Sequence, residues 1–133
     1  MDDTELLHQV LARAEKDTDV LAVIIYGSYA RGEPYHDIDV CLVLWPSRTS
    51  MVNGLQKEVT YSEPGMDIHL FHDLPLYIQI RVLEEGHCRL VKDDDIYYDL
   101  VRITLQQWED FRPLFEMYLE EVLNEPKDSH QVG

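Results

Sequence analysis

Residues 25–40 read Ile25-Tyr26-Gly27-Ser28-Tyr29-Ala30-Arg31-Gly32-Glu33-Pro34-Tyr35-His36-Asp37-Ile38-Asp39-Val40. An apolar run rich in β-branched residues (19–26, DVLAVIIY) stops at Gly27, as a buried strand stops at a turn. Glycine carries no side chain, so a phosphate can approach the backbone at that strand end. The amides that follow can point at the phosphate if a helix begins there. Ser28 adds a hydroxyl donor. Asp37 and Asp39 stand two apart in a second predicted strand, residues 37–45, so both side chains leave one face of the sheet. Ile38 and Val40 then face the core. Two carboxylates so close repel unless a hard cation lies between them, and Mg²⁺ is suited to oxygen ligands. Arg31 stands between the two halves, placed to neutralise a triphosphate oxygen.

Working outward, residues 3–16 carry Leu6, Leu7, Val10, Leu11 and Ala14 at helical spacing. Residues 46–65 hold Pro46, Gly54, Pro64 and Gly65 and read mainly as a loop. Residues 66–72 (MDIHLFH) alternate as a third strand. Asp73, as N-cap, and Pro75 open a helix that runs to Glu85 and is closed by Gly86. Residues 87–92 form a fourth strand. From Asp94 to about Asn124 the spacing is helical again, with Asp93, Asp94 and Asp95 at its positive end. Pro113 is expected to kink or split that stretch. The order is an α/β sheet domain over residues 1–125 with a polar tail at 126–133.

The longest apolar run, residues 20–26, is far short of the ~20 residues that span a bilayer. The first residues lack the basic and apolar regions of a signal peptide, which places the protein in the cytoplasm. Cys41 and Cys88, in apolar strand-like runs, read as reduced, buried thiols. A net charge of −15 repels phosphate backbones and argues against a nucleic-acid binder that works alone. It favours a basic protein partner, or a site that holds an anionic substrate through metal ions.

The Gly-Ser turn followed by Asp-x-Asp resembles the nucleotidyltransferase superfamily of DNA polymerase β. The wording Gly-Ser-Tyr-Ala-Arg-Gly is most similar to the minimal nucleotidyltransferases (MNT), antitoxins paired with HEPN toxins. The likeness extends to Asp67 in Met-Asp-Ile-His-Leu and to residues 82–91, so it covers about residues 18–92. It implies a polymerase-β-like fold: a mixed sheet of about four strands, helices packed on one face, and a long C-terminal helical segment. Two Mg²⁺ ions and ATP as substrate are also implied. Asp37, Asp39 and Asp67 would be catalytic metal ligands, with Asp67 serving the attacking hydroxyl; Gly27, Ser28 and Arg31 would bind nucleotide. His69 shares the face of Asp67 by alternation, which leaves two readings: a side chain that touches the site, or one that is solvent-facing or structural.

What the resemblance implies is an antitoxin that transfers AMP from ATP to a tyrosine of a HEPN RNase toxin. Two alternatives stand beside it. One is an antitoxin that neutralises its toxin by binding alone. The other is a transferase acting on a small-molecule hydroxyl.

Overall fold

The computed structural model describes residues 2–124; the predicted tail at 126–133 lies outside the described residues. In chain order the elements are α1 (Asp3–Lys16), β1 (Val20–Tyr26), α2 (Gly27–Ala30), β2 (Ile38–Leu44), a 3₁₀ turn (Pro46–Arg48), α3 (Met51–Tyr61), β3 (Met66–Leu70), a second 3₁₀ turn (Phe71–Asp73), α4 (Leu76–Glu85), β4 (His87–Val91) and α5 (Asp94–Asn124). The four strands form one mixed sheet in the order β3-β2-β1-β4. β1 is antiparallel to both β2 and β4, and β2 runs parallel to β3.

Each of the first six residues of β1 is buried. A strand that is apolar on both faces needs cover on both, and it has it. Val23, Ile25, Val40 and Leu42 pack with Leu6, Leu7 and Val10 of α1 and Tyr61 of α3. Ala22, Ile24, Cys41 and Val43 pack on the other face, with Val82 of α4 and Ile96, Tyr97 and Leu100 of α5. Fully burying each such Val, Leu or Ile stabilises the fold by about 1.5–3 kcal/mol. The expected fold class therefore holds, but the helices cover both faces rather than one.

The ends of α1 and α5 follow the local signals. Asp2 caps α1 by accepting from the Glu5 amide (2.8 Å), and Asp93 caps α5 by accepting from the Ile96 amide (3.0 Å). Four details depart from expectation. Residues 51–61 are helix, not loop, capped by Ser50, which accepts from the Asn53 amide. Asp73 does not cap α4; Pro75 holds that position with no side-chain cap bond, while Asp73 lies 3.3 Å from His72. Of the two outcomes expected at Pro113, the split does not occur: α5 continues through it, with Pro113 on an exposed turn. There the carbonyl left without its usual donor is open to water, and Phe115, stacked on Tyr77 of α4, ties the later turns to the domain. Finally, Cys41 is buried but Cys88 is exposed, because β4 is an edge strand whose first three residues face solvent.

A polar cluster ties down the end of the sheet where β1 begins. Lys57 of α3, only 7% exposed, lies 2.9 Å from carboxylate oxygens of both Asp17 and Asp19. The Tyr61 hydroxyl donates to Asp17 (2.8 Å), and the Lys92 ammonium donates to the Asp17 carbonyl (2.6 Å). No helix among the described residues is long and apolar enough to cross a membrane.

Candidate active site

β1 ends at Tyr26, and the chain turns through Gly27 with φ +76°, a left-handed conformation that glycine adopts without steric cost. α2 begins at once. Tyr26, at its N-cap position, makes no side-chain cap bond, so the positive end of this short helix stands at the end of β1. Strand pairing then sets the acids. Tyr26 is the register partner of Asp39, and Asp39 is the register partner of Asp67. These three side chains form a row across three strands, on the face covered by α4 and α5.

His69, two residues beyond Asp67, completes the group. Its Nε2 is 3.1 Å from Asp67 Oδ2 and 3.9 Å from Asp39 Oδ1. The Tyr26 ring meets the His69 ring edge-on, centroids 6.0 Å apart. Asp39, Asp67 and His69 each offer a ligand atom within 4.8 Å of the others.

Asp37 sits differently. It lies in an exposed bend one residue ahead of β2, so strand alternation does not set its direction, and it is outside that group of three. Its charge still reaches Asp39. Burial, the Asp67 carboxylate and the Asp37 carboxylate together push the Asp39 carboxyl above the ordinary value, against the weaker pull of His69 and Arg31. Carboxylates facing each other on adjacent strands repel, and a divalent cation bound between them would relieve that repulsion. The residues present therefore fit such an ion. Tyr26 is also pushed up, first by burial and then by the neighbouring Cys41, Asp39 and Asp67, so it stays a neutral hydroxyl.

The residues predicted to bind nucleotide lie on and just after α2. Arg31 Nη2 is 3.5 Å from the Ser28 hydroxyl, while its other nitrogens reach Glu33 (3.2 Å) and Glu85 of α4 (3.3 Å). Exposed ion pairs of this kind are worth about 0–1 kcal/mol, so a phosphate oxygen can displace them at low cost. The position of Gly27 has a second cause besides its φ. A Cβ there would collide with Oδ2 of Asp39. Gly27→Ala is thus expected to cost about 1–3 kcal/mol in backbone strain and to displace Asp39. Chemical denaturation and nucleotide binding would both register it, and an alanine variant with unchanged binding would show that the collision is relieved elsewhere.

Thus Gly27, Ser28, Arg31, Asp39 and Asp67 come together at one sheet end, with Asp37 at its edge. His69, Tyr26 and Glu85 join them. For His69 the signal was its alternation with Asp67, and for Tyr26 its place beside Gly27. Glu85, 54 positions from Arg31, gave no local signal.

This fold and this row of acids define a class. Residues 8–95 match the polymerase beta nucleotidyltransferase family, and the chain belongs to that family. Solved structures share its fold, among them the following three. A chain of a toxin–antitoxin complex with AMP-PNP aligns over 92% of this chain and 99% of its own, at 13% identity and TM-score 0.66. A chain of the MntA–HepT toxin–antitoxin pair aligns over the same shares, at 9% identity and TM-score 0.65. One from the complex of tri-AMPylated Shewanella oneidensis HEPN toxin with MNT antitoxin covers 90% and 94%, at 11% identity and TM-score 0.63. No curated protein sequence matches the chain.

Proposed function

We propose that this protein is a Mg²⁺-dependent, cytoplasmic adenylyltransferase that acts as an antitoxin, transferring AMP from ATP to a tyrosine of a HEPN RNase toxin. The observation that carries the reading is the register pairing of Asp39 with Asp67 beside the Gly27–Ser28 turn. Likeness in fold to chains of complexes containing AMP-PNP and an AMPylated HEPN toxin supports the choice of nucleotide and acceptor.

In this reading Asp37, Asp39 and Asp67 hold two Mg²⁺ ions. When bound, Mg²⁺ supplies charge neutralisation and Lewis-acid polarisation of the triphosphate. Gly27 and Ser28 cradle the phosphates, and Arg31 exchanges Glu33 and Glu85 for a phosphate oxygen. Asp67 orients the acceptor hydroxyl. The tyrosine oxygen bonds to the α-phosphorus, its proton is lost to water, and the bond to the departing pyrophosphate breaks.

α5 supplies the acceptor's docking surface. Its 31 residues extend ~46 Å at about 1.5 Å per residue, beyond the reach of a small sheet. Leu114, Tyr118, Val122 and Leu123 remain exposed along its second half, and an apolar stripe of that extent marks an interaction surface. Introducing charge there, Leu114→Glu with Tyr118→Glu, should change stability by no more than about 0.5 kcal/mol and abolish toxin binding. Unchanged binding would move the interface off α5.

The test of the function is incubation with labelled ATP and Mg²⁺, with and without the toxin encoded by the neighbouring reading frame. The expected result is label on a toxin tyrosine, with released pyrophosphate. Neutralisation of the toxin without label would replace transfer by binding alone. Label on a small-molecule hydroxyl and none on the toxin would replace the acceptor.

A further inference from the structure

The family motif is built on carboxylates, yet in this chain an imidazole stands among them. His69 Nε2 is 3.1 Å from Asp67 Oδ2 and 3.9 Å from Asp39 Oδ1. Neighbouring ligands on an octahedral ion with bonds of about 2.1 Å lie roughly 3 Å apart, so the separation of His69 from Asp67 matches one edge of such a polyhedron. The ring is held in place from two sides. β3 fixes its face of the sheet, and the Tyr26 ring packs against it edge-on.

Ligand chemistry decides what the imidazole would change. Mg²⁺ prefers oxygen donors and gives up its water reluctantly, whereas Mn²⁺, equally suited to carboxylates, accepts a nitrogen donor more readily than Mg²⁺ does. We propose that His69 is a metal ligand of this site beside Asp39 and Asp67, adding an imidazole to its carboxylates so that the ion held by these three residues is bound as Mn²⁺ in preference to Mg²⁺. The proposal rests on the reading of Asp39 and Asp67 as metal ligands and goes beyond it by naming a nitrogen donor and a metal preference.

The experiment uses the intact protein with the metal alone, so that no nucleotide nitrogen is present. Mn²⁺ binding is followed by the loss of the free-ion paramagnetic resonance signal, and Mg²⁺ binding by competition. Pulsed paramagnetic resonance then reports any ¹⁴N coupled to the bound Mn²⁺. The expected result is Mn²⁺ binding tighter than Mg²⁺, with an imidazole ¹⁴N coupling. His69→Gln should remove the coupling and weaken Mn²⁺ by about tenfold or more while moving Mg²⁺ affinity much less. His36→Gln, on the exposed turn before Asp37, should keep the coupling.

Bound Mn²⁺ without ¹⁴N coupling in the unmodified protein would overturn the proposal without recourse to any variant. So would a coupling lost in His36→Gln instead. Either result would leave the carboxylate metal site intact. Failure of both Mn²⁺ and Mg²⁺ to bind would overturn the metal reading itself, and the proposal with it.

Discussion

Asp39→Asn is expected to remove AMP transfer, by on the order of a thousandfold, the size of loss that follows deletion of one group stabilising transition-state charge. Asp39 is the acid on which the site converges. It is paired in register with Tyr26 and Asp67, it is touched by His69, and its Oδ2 occupies the space that Gly27 leaves open. The same substitution should stabilise the metal-free protein. The sign follows from the raised carboxyl of Asp39. In the folded state it holds its proton to higher pH than in the unfolded chain, so its contribution falls as pH rises from the ordinary carboxylate value through the folded one. Asparagine carries no charge, and this loss disappears. Denaturant midpoints without metal, at pH 4 and pH 7, would show a gain for the variant at the higher pH. A variant that kept near-normal transfer, or that unfolded, would remove Asp39 from the proposed metal site.

Lys57→Met should cost at most about 3–5 kcal/mol, the penalty for removing one partner of a buried ion pair, reduced to the extent that Arg48 still faces Asp19 and the Tyr61 hydroxyl still donates to Asp17. In a domain of this size that lowers Tm by on the order of 10 °C. Methionine keeps the length of the side chain, so the loss comes from the carboxylates of Asp17 and Asp19, both largely buried. For Asp17, burial opposes ionisation, but hydrogen bonds from Lys57, the Asp19 amide and Tyr61 outweigh it and hold the carboxyl below the ordinary value. That stabilisation is present above the ordinary carboxylate value and is lost as pH falls through the lower, folded one. Lys57 is shifted the opposite way: burial opposes its charge, but the bonds to Asp17 and Asp19 raise it. Its contribution is complete below the ordinary lysine value and is lost only as pH rises through the folded one. The two together give a stability plateau across neutral pH, which the variant should narrow. Transfer at low temperature should survive, because the cluster lies at the start of β1 and the site at its end, about 20 Å away along seven residues. A loss below about 1 kcal/mol would show that the carboxylates find other partners.

α3 shows where reading by pattern fails. Its apolar side chains Met51, Val52, Leu55 and Val59 are exposed, while Gly54, Lys57 and Tyr61 are buried. A helix that buries a lysine and shows its valines to water inverts the usual relation between periodicity and burial. Pro46, Gly54, Pro64 and Gly65 then made the stretch resemble a loop. The useful local signal was Ser50, a good N-cap residue. Cys88 illustrates a related limit, because an apolar run does not say whether its strand is central or at an edge. α1 was legible for the opposite reason: its buried residues Leu6, Leu7, Val10 and Ala14 are the ones at helical spacing.

By itself the sequence determined the strands, the turn at Gly27, the helical spacing of α1, the capped start of α5, and the carriage of Asp39 and Asp67 on strand faces. These follow from local rules, since alternation, capping and glycine geometry act within a few residues. The tertiary structure alone decided that Asp39 and Asp67 are register partners, that His69 reaches both of them and the Tyr26 ring, and that Asp37 stands just outside the strand. It also decided that Lys57 reaches Asp17 across 40 positions and that Arg31 reaches Glu85 across 54. Those contacts depend on how far one strand slides against another and on which distant helix closes over the sheet. A one-residue slip would turn Asp67 and His69 to the opposite face, and only the joint packing of both sheet faces sets that register.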